Sequence, residues 1–130
     1  MYINARFCLL SGAVICLLCV LIGAFGAHML KPILSTEMLT VYDTAIRYQM
    51  FHGIGLLVLG LLMTQTGASN IQLKRYAISA GLFLLGLLLF CGSLYALALS
   101  GIKVLGAITP FGGLAFILGW FYLAISVKDL

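Results

Sequence analysis

A chain of 130 residues is the size of one domain. Hydrophobic residues make up 64% and charged residues 8%, with a mean hydropathy of +1.23; a soluble domain is about a quarter charged, so these few charges cannot cover a water-facing surface and a soluble protein is excluded. The net charge of +4 has no cluster beyond Lys74-Arg75, which excludes a nucleic-acid-binding face and leaves the charges to set membrane topology.

A helix crosses a ~30 Å hydrocarbon core with about 20 apolar residues, and four such segments are predicted. The first covers 7–27, uncharged and preceded by Arg6. A signal peptide is the competing reading, with Ala24-Phe25-Gly26 resembling a cleavage site. The run is longer than the usual apolar core of a signal peptide, and no polar mature domain follows. It is therefore expected to remain as an uncleaved span. Gly23 and Ala27 form a small-x-x-x-small pair suited to close helix approach. Cys8, Cys16, Cys19 and Cys91 all lie in apolar runs, where cysteine behaves as a small hydrophobe. The C-x-x-C at 16–19 lacks the polar setting that redox activity needs.

The interval from His28 to His52 is the longest polar stretch, holding both histidines, two of the three acids and Pro32. Pro32 ends the first helix, and Ser35 or Thr36 caps a new one with Glu37 in its first turn. Over 36–47 the polar residues recur with helical spacing, which predicts an amphipathic segment lying at the membrane surface or entering from it. Asp43 and Arg47 stand at i, i+4 in the favoured order for an ion pair. The apolar run 50–63 is too short to span alone, so the second span is expected over 48–66.

A turn at 67–70 precedes the third span, 76–100, with small-residue pairs at Ala77/Gly81 and Gly92/Ala96/Ser100. The fourth, 104–126, carries Pro110 early, where proline costs least. Gly112, Gly113 and Gly119 follow as packing residues, and Trp120 and Tyr122 are placed toward the far interface. The fold class expected is an all-α membrane protein, a four-helix bundle with an amphipathic segment between its first two helices. Arg6, Lys74, Arg75 and Lys128 fall on one side, and Lys31, Arg47 and Lys103 on the other. That balance leans toward cytoplasmic termini.

This topology gathers His28, Gln49, His52, Ser93, Tyr95 and Thr109 toward the outer half, one or more from each helix. Polar side chains facing lipid are costly, so these are expected to turn inward and meet. They then act either as interhelical glue or as a small outward-facing binding site. Two histidines without a ligand spacing do not make a metal centre. No nucleophile stands beside a base, so neither an enzyme nor a cofactor is expected.

The stretches Gly23-Ala24-Phe25-Gly26-Ala27-His28, Tyr48-Gln49-x-x-His52, Phe90-x-Gly92-Ser93-Leu94-Tyr95, Thr109-Pro110-x-Gly112-Gly113 and Gly119-Trp120 run in order through nearly the whole chain. They resemble the small inner-membrane proteins typified by YgdD and YwdK, a family with an animal transmembrane relative. The cysteines lie outside this pattern. The resemblance implies a four-helix integral protein of the bacterial plasma membrane and no particular activity. The expected function is that of a structural or interaction protein, with the lipid bilayer and a second copy of itself as partners. The alternative is a small transporter or channel subunit using the six polar residues as its site.

Overall fold

The structure is a computed structural model describing residues 3–128, and every element in it is helical. Helix α1 (Ala5–Phe25) starts on Asn4, whose Oδ1 accepts from the Phe7 amide at 2.9 Å. It runs into a single π turn, Gly26–Leu30. Helix α2 (Thr36–Thr64) is capped by the Ser35 hydroxyl, which accepts from the Met38 amide at 3.3 Å. Helix α3 (Asn70–Gly86) begins with a capping box: Ser69 Oγ accepts from the Gln72 amide while Gln72 Oε1 accepts from the Ser69 amide. A second π turn, Leu87–Cys91, joins α3 to α4 (Gly92–Ser100), which closes on Gly101 in the left-handed region at φ 71°. A 3₁₀ turn, Lys103–Ala107, leads into α5 (Thr109–Val127), with Pro110 in its first turn.

Four helical stretches are long and apolar enough to cross a membrane: Ala5–Leu30, Thr36–Thr64, Asn70–Ser100 and Lys103–Val127. The first three begin before the ranges expected from their apolar runs, because turns capped by Asn4, Ser35 and Ser69 start each helix ahead of its apolar residues, and the second ends at Thr64, short of 66. The stretch 36–47, expected either at the membrane surface or entering the membrane, follows the second alternative. These residues form no separate surface segment; they are the first three turns of α2, which continues unbroken for 29 residues. Within it Tyr42 and Ala45 are buried, so the apolar face of the amphipathic stretch packs on protein rather than on headgroups.

The helices associate as two pairs, α1 with α2 and α3 with α5, joined where α2 meets α3 and α4. Lipid offers no hydrophobic drive for helices to associate, so close packing must hold them together, and small residues make it possible. A Cβ on Gly53 would stand 2.8 Å from Cys16 Sγ, and one on Gly60 would stand 2.7 Å from Leu9 Cγ. Gly55 and Gly119 receive opposite sides of the fully buried Phe83, and Gly86 receives Phe116. Gly112 lies directly on the Phe90 backbone, where any Cβ would overlap the amide nitrogen.

The small residues expected to pack divide accordingly. Gly112 and Gly119 are contact points, and Gly113 approaches the Phe90 ring at ordinary distance. Gly23 meets only Ile46, a Cβ there resting 3.8 Å away, and Gly81 meets Ile3 at 3.4 Å beside half-buried Ala77. Ala27, Gly92, Ala96 and Ser100 are exposed. The last three turn away because α4 buries Ser93, Leu94 and Ala98 instead.

Gly112→Ala is therefore expected to cost about 1–3 kcal/mol through overpacking. Gly23→Ala, whose Cβ would rest at ordinary distance from Ile46, should stay within about 0.5 kcal/mol of the parent. Unfolding in detergent micelles compares the two, and equal responses would mean that α5 does not rest on the Phe90 backbone.

Candidate functional site

The polar residues grouped from the sequence do not form one cluster. Gln49 is buried and bridges three helices: its Oε1 accepts from the Tyr95 hydroxyl at 2.7 Å, and its Nε2 donates to the Ile15 carbonyl at 3.1 Å. Tyr95 meets Tyr42 edge to face at 5.2 Å, and the Tyr42 hydroxyl donates to the Ile22 carbonyl at 2.7 Å. Ser93 and Thr109 form a second pair at 2.8 Å. Ser93 Oγ also donates to the Phe90 carbonyl at 3.1 Å, which uses its one proton, so Thr109 is the donor between the two hydroxyls.

His52 forms the third group. It is 4% exposed and lies near the middle of α2 rather than at its outer turns, because that helix begins at Thr36. Its Nε2 accepts from the Trp120 indole Nε1–H at 3.0 Å, and its Nδ1 lies 2.7 Å from the Tyr48 carbonyl. Indole is only a donor, so Nε2 carries no proton and Nδ1–H donates to Tyr48. The ring stacks on Phe116 at 3.5 Å with 12° between planes, and Phe83 meets it edge-on at 5.1 Å. The imidazole is thus held as one neutral tautomer with both nitrogens engaged, leaving no lone pair for a metal ion.

His28 belongs to none of these groups. In the π turn Gly26 and Leu30 are the buried residues, which puts His28 on the far side of the turn, exposed. Asp43 and Arg47 are both exposed and form no ion pair with each other among the described residues. Trp120, placed by its residue type at the far interface, lies instead in the middle turns of α5 as the partner of His52. A signal for it existed in the sequence. Gly112, Phe116, Gly119 and Leu123 recur at helical spacing and mark the packed face, and Trp120 stands on the edge of that face.

The arrangement spaces hydrogen bonds between the helices, two of them across the seam that joins the pairs and one within the second half. Gln49–Tyr95 ties α2 to α4, Ser93–Thr109 ties α4 to α5, and His52–Trp120 ties α2 to α5. Below them Ser79 Oγ donates to the Gly119 carbonyl at 2.8 Å. The Tyr76 hydroxyl differs, being buried with no hydrogen-bond partner.

Residues 22–113, which hold most of this seam, match a family model described as "Protein of unknown function (DUF423)". The chain belongs to this family. It is similar to the "UPF0382 membrane protein SH2409" of Staphylococcus haemolyticus, with 44% identity over 118 residues covering 91% of this chain and 92% of the relative. To the "UPF0382 membrane protein YwdK" of Bacillus subtilis the identity is 38% over 119 residues, covering 91% and 93%. A "UPF0382 membrane protein" of Haemophilus influenzae is 44% identical over 107 residues, covering 82% and 81%. No solved structure matches the chain. These relatives agree with the four spanning-length helices in making it an integral membrane protein, and their names carry no activity.

Removing each tie separates glue from bystander. His52→Ala, which opens a void beside Phe116 and leaves the Trp120 N–H unpaired, should cost about 2–3 kcal/mol of stability. His28→Ala should stay within about 0.5 kcal/mol. A double-mutant cycle of Gln49→Leu and Tyr95→Phe should give a coupling of about 0.6 kcal/mol, typical of hydrogen bonds between membrane helices. Reversible unfolding in bicelles measures all three.

Proposed function

We propose that this is a non-catalytic structural protein of the bacterial plasma membrane that acts as a self-associated unit. The observation that carries this reading is a division of labour between its faces. The polar side chains are used inside one chain, as ties between helices. The stripe Gly92, Ala96 and Ser100 is left outside, spaced by one helical turn and open to a neighbour. Small residues at that spacing let two membrane helices approach backbone to backbone. Helix α1 adds a second uncovered surface, since it packs on α2 and only 17% of its most apolar window is buried. The transporter reading required the six polar residues to line one site; four of them close into the pairs Gln49–Tyr95 and Ser93–Thr109, His52 pairs with Trp120 and His28 stands apart, which favours glue.

The plasma membrane is favoured because outer membranes are spanned by β-barrels, whereas this chain offers four apolar helices. Cytoplasmic termini are favoured by Arg6, Lys74, Arg75 and Lys128 at the end that holds them.

Native mass spectrometry from mild detergent is expected to show an oligomer. Ala96→Leu, a change at an exposed position, should convert it to monomer without lowering the unfolding temperature. A wild-type protein that stays monomeric at every concentration overturns the proposal. A green fluorescent protein fused after Leu130 should fluoresce, as it does only on the cytoplasmic side; a dark fusion reverses the orientation.

A further inference from the structure

A groove of about 1030 Å³ opens between the start of α1, the last turn of α2 and the first turns of α3. It exists because the helices pair as α1 with α2 and α3 with α5, which leaves one face of α3 uncovered near its start. That face carries Asn70, Lys74, Ala77, Ile78 and Gly81, so along the helix it changes from polar to small and apolar. Met63 stands on the wall formed by α2. Ile3 closes the floor, its Cδ1 lying 3.4 Å from where a Cβ on Gly81 would be.

Lys74 stands where the hydrocarbon ends. The stretch Asn70–Ser100 has 31 residues and rises ~46 Å, so a ~30 Å core leaves about five residues outside at each end. Lys74 is the fifth residue of that stretch. Helix α5 gives the same level independently. Gln72 Nε2 donates to the Ser126 carbonyl at 3.5 Å and Arg75 Nη1 to the Ile125 carbonyl at 3.3 Å, both in the last turn of a helix that ends at Val127. From Lys74 to Gly81 the groove descends ~10 Å into the core.

Lys74 is exposed, and its ammonium has no hydrogen-bond partner or counter-ion among the described residues. The described acids, Glu37 and Asp43, lie in the first turns of α2, at the opposite end of the bundle. The Asn70 side-chain amide also has no partner among the described residues. On the facing wall, Asn4 uses its Oδ1 on the Phe7 amide and keeps its Nδ2 donors. The groove thus presents a cation and amide donors at the membrane boundary, with an apolar trough directly below.

An anionic phospholipid carries its charge and its chain in that same order, and lysine binds phosphate as a point charge. A second copy seated on this face by a two-fold axis would crowd two Lys74 ammonium groups with no described acid between them. We propose that the groove holds one anionic phospholipid, its phosphate on Lys74 and Asn70 and an acyl chain along Ala77, Ile78 and Gly81. Basic pockets between membrane helices take anionic head groups in this way. The inference does not depend on self-association, because the Gly92/Ala96/Ser100 stripe lies on α4, outside the groove.

Native mass spectrometry of the purified protein tests this, with phosphatidylglycerol and phosphatidylcholine of identical acyl chains added at equal concentration. One phosphatidylglycerol should be retained per chain with about a fivefold preference, the weight of one cation at an anionic surface. Lys74→Gln, at an exposed position, should bring the preference close to one without lowering the unfolding temperature. Lys128→Gln, at the same end but outside the groove, should leave it unchanged. Ala77→Leu fills the trough and should reduce retention of both lipids. Phosphatidylglycerol carrying a diazirine on its acyl chain should cross-link within residues 73–81. Equal retention of the two lipids by the wild type overturns the proposal. So does a preference that persists in Lys74→Gln, or cross-links confined to other helices. Lipid displaced by inorganic phosphate but not by chloride of equal ionic strength would identify a soluble anion as the occupant. A lipid-free dimer split by Ala77→Leu would identify a second copy, and either of these results also overturns the proposal.

Discussion

The seating of Phe83 against two glycines is the contact on which the rest of the bundle depends. The ring is fully buried between Gly55 of α2 and Gly119 of α5, so one side chain sets the distance between three helices. In water, burying a ring of this size would itself drive association. In lipid the surroundings are equally apolar, and the gain comes from dense contact that a Cβ at either glycine would prevent. Phe116 in the notch at Gly86 repeats the arrangement one step away, and together these rings form the walls around His52.

The hydrogen bonds depend on that packing. An imidazole in a membrane interior is tolerated when both nitrogens are engaged, and His52 meets this condition through Tyr48 and Trp120. Gln49 meets it through Tyr95 and the Ile15 carbonyl. Each tie is weak by itself, but each is satisfied only in one register of its two helices. Apolar surfaces permit many alignments of nearly equal energy, and the polar pairs select among them. Their role as glue is therefore better described as choosing an arrangement than as supplying most of the stability.

The sequence made the class of protein legible because composition alone excludes water as the solvent, and apolar length sets the number of crossings. The pairing of Gln49 with Tyr95 and of Ser93 with Thr109 was legible at the level of neighbourhood, since antiparallel order brings those depths together. The rotation of each helix was not. Gly92 and Gly112 are equally small, and only the packed structure shows that one faces outward and the other lies on a backbone. The side taken by His28 is hidden for the same reason, because a π turn decides it. His52 was set too shallow because Asp43 and Arg47 read as surface residues, although α2 carries them as part of a span. Trp120 departs from the interfacial preference of its residue type because His52 offers its indole N–H a specific acceptor.

The pairing of the helices has a consequence for assembly in the membrane. α1 and α2 close on each other through Gly12, Gly53 and Gly60, and α3 and α5 through Gly86 and Gly119. Each pair holds its own tight seam without help from the other. An emerging chain can therefore complete the N-terminal hairpin while the second pair is still being made. The later step is the docking of two finished halves, and Gln49, His52 and Trp120 stand on the surface where they join. Polar groups exposed on each half before docking find their partners only at the correct alignment, so the final encounter carries its own check on register.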